Sequence, residues 1–191
     1  AQQTLDYLQA LYEKKLCTYP RTDSRFLTDD LEPSVPELVT VAAAICEAAA
    51  PERVNARQVC DSRKVSDHHA ILPTASAGKA DVSVLPLGER EIFRLVAGQL
   101  LRAVSDAHRY AETAVTLECG GAVFTVKGRT TLVPGWKRYL AQEKQDAALP
   151  EMSEGQGLDC AETAVKEHYT TPPKPYTEDT LLSAMENAGK D

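Results

Sequence analysis

The sequence has no run of apolar residues long enough to cross a membrane, although apolar residues make up 43% of its 191 positions. The sequence has no internal repeat. Its five cysteines lie far from one another along the chain, at Cys17, Cys46, Cys60, Cys119 and Cys160. Because this spacing fits neither a zinc site nor a disulfide framework, we expect no metal on this chain and a reducing, cytoplasmic compartment.

Positive charge is also scarce. Lys and Arg total 21 against 28 Asp and Glu, so the net charge is −7 at pH 7. This sign excludes a protein that attracts nucleic acid over its whole surface, and any contact with DNA would have to be local. The candidate cations for such a contact are Lys14, Lys15, Arg21, Arg25, Arg63 and Lys64.

The chain starts without Met and without a signal-like segment, and it opens inside a predicted helix. We therefore expect it to be a piece of a longer protein. Its length is sufficient for one or two domains with a core of their own.

Helical periodicity dominates the first half of the sequence. Apolar residues three or four positions apart predict helices over residues 4–16, 34–50 and 89–104. Ser34 and Glu37 form a predicted capping box with Pro36 at the start of the second helix. The predicted buried stripe of the first helix is Leu5, Leu8, Leu11, Tyr12 and Leu16.

Strand patterns replace helical ones near residue 105. Alternating side chains over 111–117, a Gly120-Gly121 turn and residues 123–126 predict a hairpin, and 158–168 predicts a last strand. A loop is predicted over 141–156, and Thr177 begins a final helix that Gly189 ends. The fold class is α+β, with a helical part at 1–104, a strand-rich segment at 105–174 and the start of a further helical domain at 175–191.

The segment from Thr18 to Arg25, TYPRTDSR, places a tyrosine and two arginines just after the first helix. Pro20 favours an extended conformation at Tyr19, so Arg21 lies on the same side of the chain as Tyr19. A phenol, with a pKa of about 10, is a latent nucleophile that a nearby cation activates, and a guanidinium grips phosphate through two hydrogen bonds. Residue chemistry alone nevertheless favours a surface turn with a half-buried tyrosine.

Two further blocks accompany this segment. Residues 66–74 read SDHHAILPT, and residues 172–187 combine PPKPYTE with LL and MEN. Together with LYEKKL at residues 11–16, these blocks resemble, in order, the motifs of type IA DNA topoisomerases of the bacterial topoisomerase III branch. The resemblance implies that the helical half is the domain with the catalytic tyrosine, a bundle with a helix-turn-helix-like core. It also implies that the strand-rich half is part of the β-rich arch over the DNA gate.

The resemblance implies a role for each matching residue. Tyr19 would attack a DNA backbone phosphorus and displace the 3′ oxygen, leaving a 5′-phosphotyrosine link. Because the link keeps the energy of the phosphodiester bond, no ATP is needed. Arg21 would face the non-bridging oxygens, and His68 would be a phosphate ligand or a member of a proton network. The other expected DNA-binding residues are Arg25, Lys64, Thr22 and Ser24, the last two chiefly by orienting the loop.

The family also uses an acidic Mg²⁺ site and a lysine on a separate domain, and nothing in this sequence resembles its Glu and Asp-x-Asp pattern. We therefore expect Mg²⁺ to be bound by another domain of the full-length enzyme and this chain alone to be inactive. The partner implied is single-stranded DNA, and the reaction would relax or decatenate DNA. Cys17 departs from the family's usual aliphatic residue, but a cysteine is a small apolar substitute.

The sequence is less consistent with four other functions. A metal pair at His68-His69 is disfavoured because neighbours in an extended segment point in opposite directions. A non-catalytic helix-turn-helix DNA-binding module needs a basic helix face, which the helices at 34–50 and 89–104 lack. A tyrosine recombinase places its tyrosine after its arginines and histidine, whereas Tyr19 precedes them. Composition alone does not exclude an inert scaffold.

Overall fold

The computed structural model describes residues 2–140 and 147–189. The chain divides into two compact units, residues 1–150 and 151–191. Within the described residues, three α-helices come first, two strands follow and a fourth α-helix comes last, so the α+β class is confirmed. No helix in the described part of the chain is both long enough and apolar enough to span a membrane.

The first unit is built on three helices: α1 (Gln2–Glu13), α2 (Val35–Ile45) and α3 (Leu87–Val104). All three were predicted, but α1 and α2 end earlier than expected. In α1 the chain turns at Lys15, whose φ is 60°, and the Leu16 amide donates to the Leu11 carbonyl. In α2 the turn comes at Glu47, with a φ of 51°. A non-glycine residue in the left-handed region ends a helix without leaving a glycine signal in the sequence.

The capping box predicted at Ser34 is wrong. Residues Asp29–Ser34 form a 3-10 turn that runs directly into α2, and the Ser34 side chain makes no capping hydrogen bond. Ser34 has φ −86° and ψ −16°, whereas a capping residue needs an extended backbone to aim its hydroxyl at the first turn.

The core lies between α2 and α3, with the end of α1 and the segments after it closing one side. Phe93, Ala97 and Leu101 of α3 are fully buried, as are Val35 and Ala42 of α2. Small side chains are also part of this core, since Ala42 and Ala43 of α2 and Ala97 of α3 are buried. Leu11, Leu16, Cys17, Leu27 and Leu72 extend the core toward the tyrosine segment.

A two-stranded antiparallel sheet, β1 (Arg109–Cys119) and β2 (Ala122–Val133), confirms the predicted hairpin. Gly120 and Gly121 both have positive φ, 56° and 81°, as a two-residue hairpin turn requires. The strands are longer than predicted because pairing continues past the alternating positions, out to Arg109 opposite Val133.

The second unit contains α4 (Glu178–Asn187), which begins at the predicted cap. The Thr177 and Thr180 side chains form a capping box there, and Gly189 has a left-handed φ of 78°. The strand predicted over 158–168 is wrong, since these residues are exposed and irregular. A strand needs a hydrogen-bonded neighbour, and the described part of this unit contains no other strand.

The predicted loop over 141–156 is irregular at 147–156, and residues 141–146 lie outside the described part of the chain. The predicted domain boundaries near residues 104 and 174 remain predictions.

Candidate active site

The tyrosine segment is held against the second sequence block by backbone hydrogen bonds. The Thr18 amide donates to the Leu72 carbonyl, and the Leu72 amide donates to the Thr18 hydroxyl, both at 2.9 Å. The Thr74 amide donates to the Leu16 carbonyl at 2.9 Å, and Cys17 pairs with Pro73 as an antiparallel bridge. The two blocks, distant in sequence, therefore form one local structure.

The tight turn after α1 is stabilised from the same block. Lys15 has a left-handed backbone, and its carbonyl accepts hydrogen bonds from the hydroxyl groups of Thr74 at 2.6 Å and Ser76 at 3.0 Å. These contacts fix the direction in which the chain leaves the helix, and hence the position of Tyr19.

Three aromatic rings meet at Tyr19. The His68 ring lies 4.5 Å from the Tyr19 ring, centroid to centroid, at an interplanar angle of 46°. The Tyr12 ring meets Tyr19 edge-on at 5.3 Å and 79°. Tyr19 is half-buried and His68 is exposed, so two of the three predicted catalytic residues are neighbours on an open surface.

Tyr12 was assigned from the sequence to the buried stripe of the first helix, and that assignment is wrong. Its side chain is 40% exposed, whereas Leu11 beside it is fully buried. Helical spacing alone did not distinguish these two neighbours. The sequence signal that was available is an aromatic residue at the end of a helix that leads directly into the tyrosine segment.

Thr22 and Ser24 bind the protein's own main chain. The Thr22 hydroxyl donates to the His68 carbonyl at 2.7 Å and accepts from the Ser24 amide at 3.1 Å. The Ser24 hydroxyl donates to the Lys64 carbonyl at 2.8 Å. Both side chains thus tie the loop after Tyr19 to residues 64–68.

The predicted cations fall into two groups. Arg21 and Arg25 are exposed and form no ion pair with any residue in the part of the chain that the structure describes. Arg25 also lines a groove of about 440 Å³ whose walls include α1 and α3. Lys64 instead lies 3.4 Å from the Asp61 carboxylate and 4.2 Å from the centre of the Phe26 ring.

The Asp61 carboxylate forms ion pairs with two basic residues next to the site, Arg63 and Lys64. Hydrogen bonds from Arg63, and also from Lys64, lower the pKa of its carboxyl to about 2. Asp61 therefore remains ionised at any pH near neutrality and pairs with Lys64, whose ammonium also lies over the Phe26 ring.

Two residues next to the site, His69 and Cys17, are engaged in contacts within the protein. His69 is partly buried and places its Nδ1 atom 2.7 Å from the Ala70 carbonyl oxygen. Cys17 is buried, and burial raises the pKa of its thiol to about 12. The thiol therefore stays neutral and acts as a small apolar side chain beneath the tyrosine segment.

The structure describes the potential ligands for a magnesium ion in residues 2–140 and 147–189. Among the described residues, no three His, Cys, Asp or Glu side chains come close enough together to hold a metal ion. The Tyr19 surface carries arginine and histidine instead, which are groups suited to an anion.

Comparison with known proteins identifies the family. A family model described as DNA topoisomerase matches residues 1–189. Proteins named DNA topoisomerase 3 are 37% identical in Bacillus licheniformis, 38% in Bacillus subtilis strain 168 and 36% in Staphylococcus aureus strain NCTC 8325. The alignments cover 98%, 98% and 97% of this chain, in the same order.

The chain spans only 27–28% of the length of these relatives. The match extends from the tyrosine segment through the His68 block to the final helix, the same three blocks that carry the sequence resemblance. The chain therefore belongs to the DNA topoisomerase family.

Proposed function

We propose that this chain supplies the nucleophile of a type IA DNA topoisomerase, with Tyr19 as the residue that joins DNA. The observation that carries the proposal is the contact between the half-buried Tyr19 ring and His68. Arg21, two residues further along the chain, is exposed and has no ion pair with any described residue. A phenol in contact with an imidazole, with an exposed guanidinium this close in sequence, suits a phosphodiester better than a neutral ligand.

The proposed step is a transesterification. The Tyr19 phenol loses its proton and its oxygen bonds to a backbone phosphorus, while the bond from phosphorus to the 3′ oxygen breaks and that oxygen takes up a proton. The product is a 5′-phosphotyrosine and a free 3′ hydroxyl. The reverse step restores the strand, and no ATP is consumed because the number of phosphoester bonds does not change.

Arg21 is proposed to bind the non-bridging oxygens of the attacked phosphate. Charge on these oxygens is stabilised most by donors that are already in place, and an arginine without a carboxylate partner needs no ion pair broken first. His68, in ring contact with Tyr19, is proposed as a phosphate ligand or proton carrier.

The other four predicted DNA-binding residues are proposed to bind flanking phosphates or to hold the loop. Arg25 and Lys64 would bind flanking phosphates, and Lys64 would have to leave Asp61 or bridge it to DNA. Thr22 and Ser24 already donate to main-chain carbonyls, so we propose that they act mainly by holding the loop.

The reaction of the whole protein is also a proposal. Single-stranded DNA is the expected substrate, strand passage through the break would relax or decatenate DNA, and the cytoplasm is the expected compartment. Mg²⁺ would be held by another domain of the full-length enzyme, since no residue group described in this chain suits it. The chain alone is then expected to leave supercoiled DNA unchanged.

The test is Tyr19→Phe in the full-length enzyme. The phenylalanine keeps the ring contacts and removes the only nucleophilic atom, so DNA cleavage should disappear while DNA affinity stays within a few-fold of normal. Tyr110→Phe is the matched control, since the Tyr110 ring also lies against a histidine ring, at 5.4 Å, and has an arginine over it at 4.9 Å. Cleavage by the Tyr19→Phe variant would overturn the proposal. Loss of cleavage in the Tyr110→Phe control would show that the effect of Tyr19→Phe is not specific to the nucleophile, and would also count against the proposal.

A further inference from the structure

Tyr12 is the ring contact of Tyr19 that comes from regular secondary structure. It lies in the last turn of α1, and its carbonyl accepts the Lys15 amide at 2.8 Å where the helix closes. Its ring meets Tyr19 edge-on, the arrangement that aromatic pairs prefer to a face-to-face stack.

The backbone beneath Tyr12 is firmly anchored. Leu11, the preceding residue, is completely buried, and Lys14, on the following turn, forms an ion pair with Glu89 of α3. His68, the other ring neighbour, lies in an irregular segment and is exposed. Of the two residues whose rings contact Tyr19, Tyr12 is therefore held more firmly in place than His68.

The hydroxyl group of Tyr12 is not engaged in this arrangement. It has no hydrogen-bond partner among the residues that the structure describes, and the side chain is 40% exposed. Its contact with Tyr19 is thus made by the ring, so any effect on Tyr19 must act through the position of the ring.

We infer that Tyr12 is a positioning residue, whose ring edge restricts the Tyr19 side chain so that the phenolic oxygen is already directed at the phosphate. This inference rests on the proposed function of Tyr19. An aromatic pair of this kind shifts a conformational population by about 2- to 13-fold. Misplacement of a reacting atom lowers the rate of the chemical step while leaving substrate binding intact.

The test compares three substitutions in the full-length enzyme under single-turnover cleavage of a single-stranded oligonucleotide. Tyr12→Phe keeps the ring and should cleave within about two-fold of the normal rate. Tyr12→Leu and Tyr12→Met remove the ring and should slow cleavage roughly 3- to 10-fold, with the Kd for the oligonucleotide unchanged. The two ring-free variants differ in shape, so a folding defect peculiar to one is recognised from the other.

A second readout follows the Tyr19 ring directly in the present chain. With tyrosine rings labelled for NMR, the Tyr19 ring signals should move in Tyr12→Leu, because the ring current of the neighbour is lost, and should stay near their normal positions in Tyr12→Phe. The signals of Tyr110 on β1 are the internal control.

Each result decides the inference. It is overturned if Tyr12→Leu and Tyr12→Met cleave at the normal rate, if Tyr12→Phe is as slow as they are, or if the Kd rises in step with the loss of rate. The last outcome would make Tyr12 a DNA contact. Cleavage by Tyr19→Phe in the same assay would instead refute the proposed function, and a normal Tyr12→Leu rate with an inactive Tyr19→Phe would refute the positioning role alone.

Discussion

Replacing Thr22 by valine tests whether one hydroxyl joins the two halves of the candidate site. Valine keeps the branched shape of threonine and removes the hydroxyl, which donates to the His68 carbonyl at 2.7 Å and accepts from the Ser24 amide at 3.1 Å. The substitution therefore cuts the link between the loop after Tyr19 and the segment that carries His68, without leaving a cavity.

The magnitude follows from these two hydrogen bonds. Each contributes about 0.5–1.5 kcal/mol net, which sets an upper range of about 1–3 kcal/mol. Thr22 is only partly buried and His68 is exposed, so water takes over part of the lost bonding. We expect a loss of about 1 kcal/mol in the free energy of unfolding, or a fall of about 2–4 °C in Tm for a chain of this size.

The assay is urea unfolding of the present chain, with the midpoint as the readout and an unchanged m-value as the sign that only stability has altered. Thr22→Ser keeps the hydroxyl and should lose much less. Thr40→Val is the matched control, because the Thr40 hydroxyl donates only to the Pro36 carbonyl, one turn back in an exposed part of α2. If Thr22→Val is as stable as Thr22→Ser, the hydroxyl does not join the loop to the His68 segment.

Three further outcomes are expected. Arg21→Lys in the full-length enzyme should slow cleavage by about 10²–10³, because an ammonium cannot hold two phosphate oxygens at once; near-normal cleavage would contradict this. At pH 8 an alkylating reagent should modify the exposed Cys119 and Cys160 first, while Cys17, buried and with its pKa raised to about 12, should react only as fast as the chain unfolds. Amides of α4 should exchange rapidly, since the three large apolar residues of this helix are exposed and a helix this short is marginal alone. Strong protection that persists on dilution would contradict that expectation.

Much of the fold was predictable because its signals are local. The periodicity of α1 and α3 and the Gly120-Gly121 turn each depend on residues close together in the sequence. The end of α2 was missed because Glu47 adopts the left-handed conformation there. A glycine at that position would have signalled the end of the helix, and a glutamate does not. The strand over 158–168 failed because a strand depends on a partner that alternating residues do not reveal.

The candidate site was predictable only in part. The family resemblance, not residue chemistry, implied that Tyr19 and His68 both act at the phosphate, and the contact between their rings is a finding of the structure. The hydrogen bond from Thr22 to His68 and the edge-on contact of Tyr12 are tertiary contacts that no spacing rule predicts. The ion pair between Asp61 and Lys64 is likewise not a feature that was predicted from the sequence.

The nucleophile can be identified directly by trapping the full-length enzyme on a cleaved oligonucleotide and mapping the attached nucleotide after trypsin and nuclease digestion. Trypsin releases residues 16–21, in which Tyr19 is the only tyrosine, while Tyr12 lies in a separate peptide that ends at Lys14. We expect a nucleotide joined through its 5′ phosphate to Tyr19 in the 16–21 peptide. A nucleotide on the Tyr12 peptide or on any other residue, or cleavage without a covalent adduct, would show that Tyr19 is not the nucleophile.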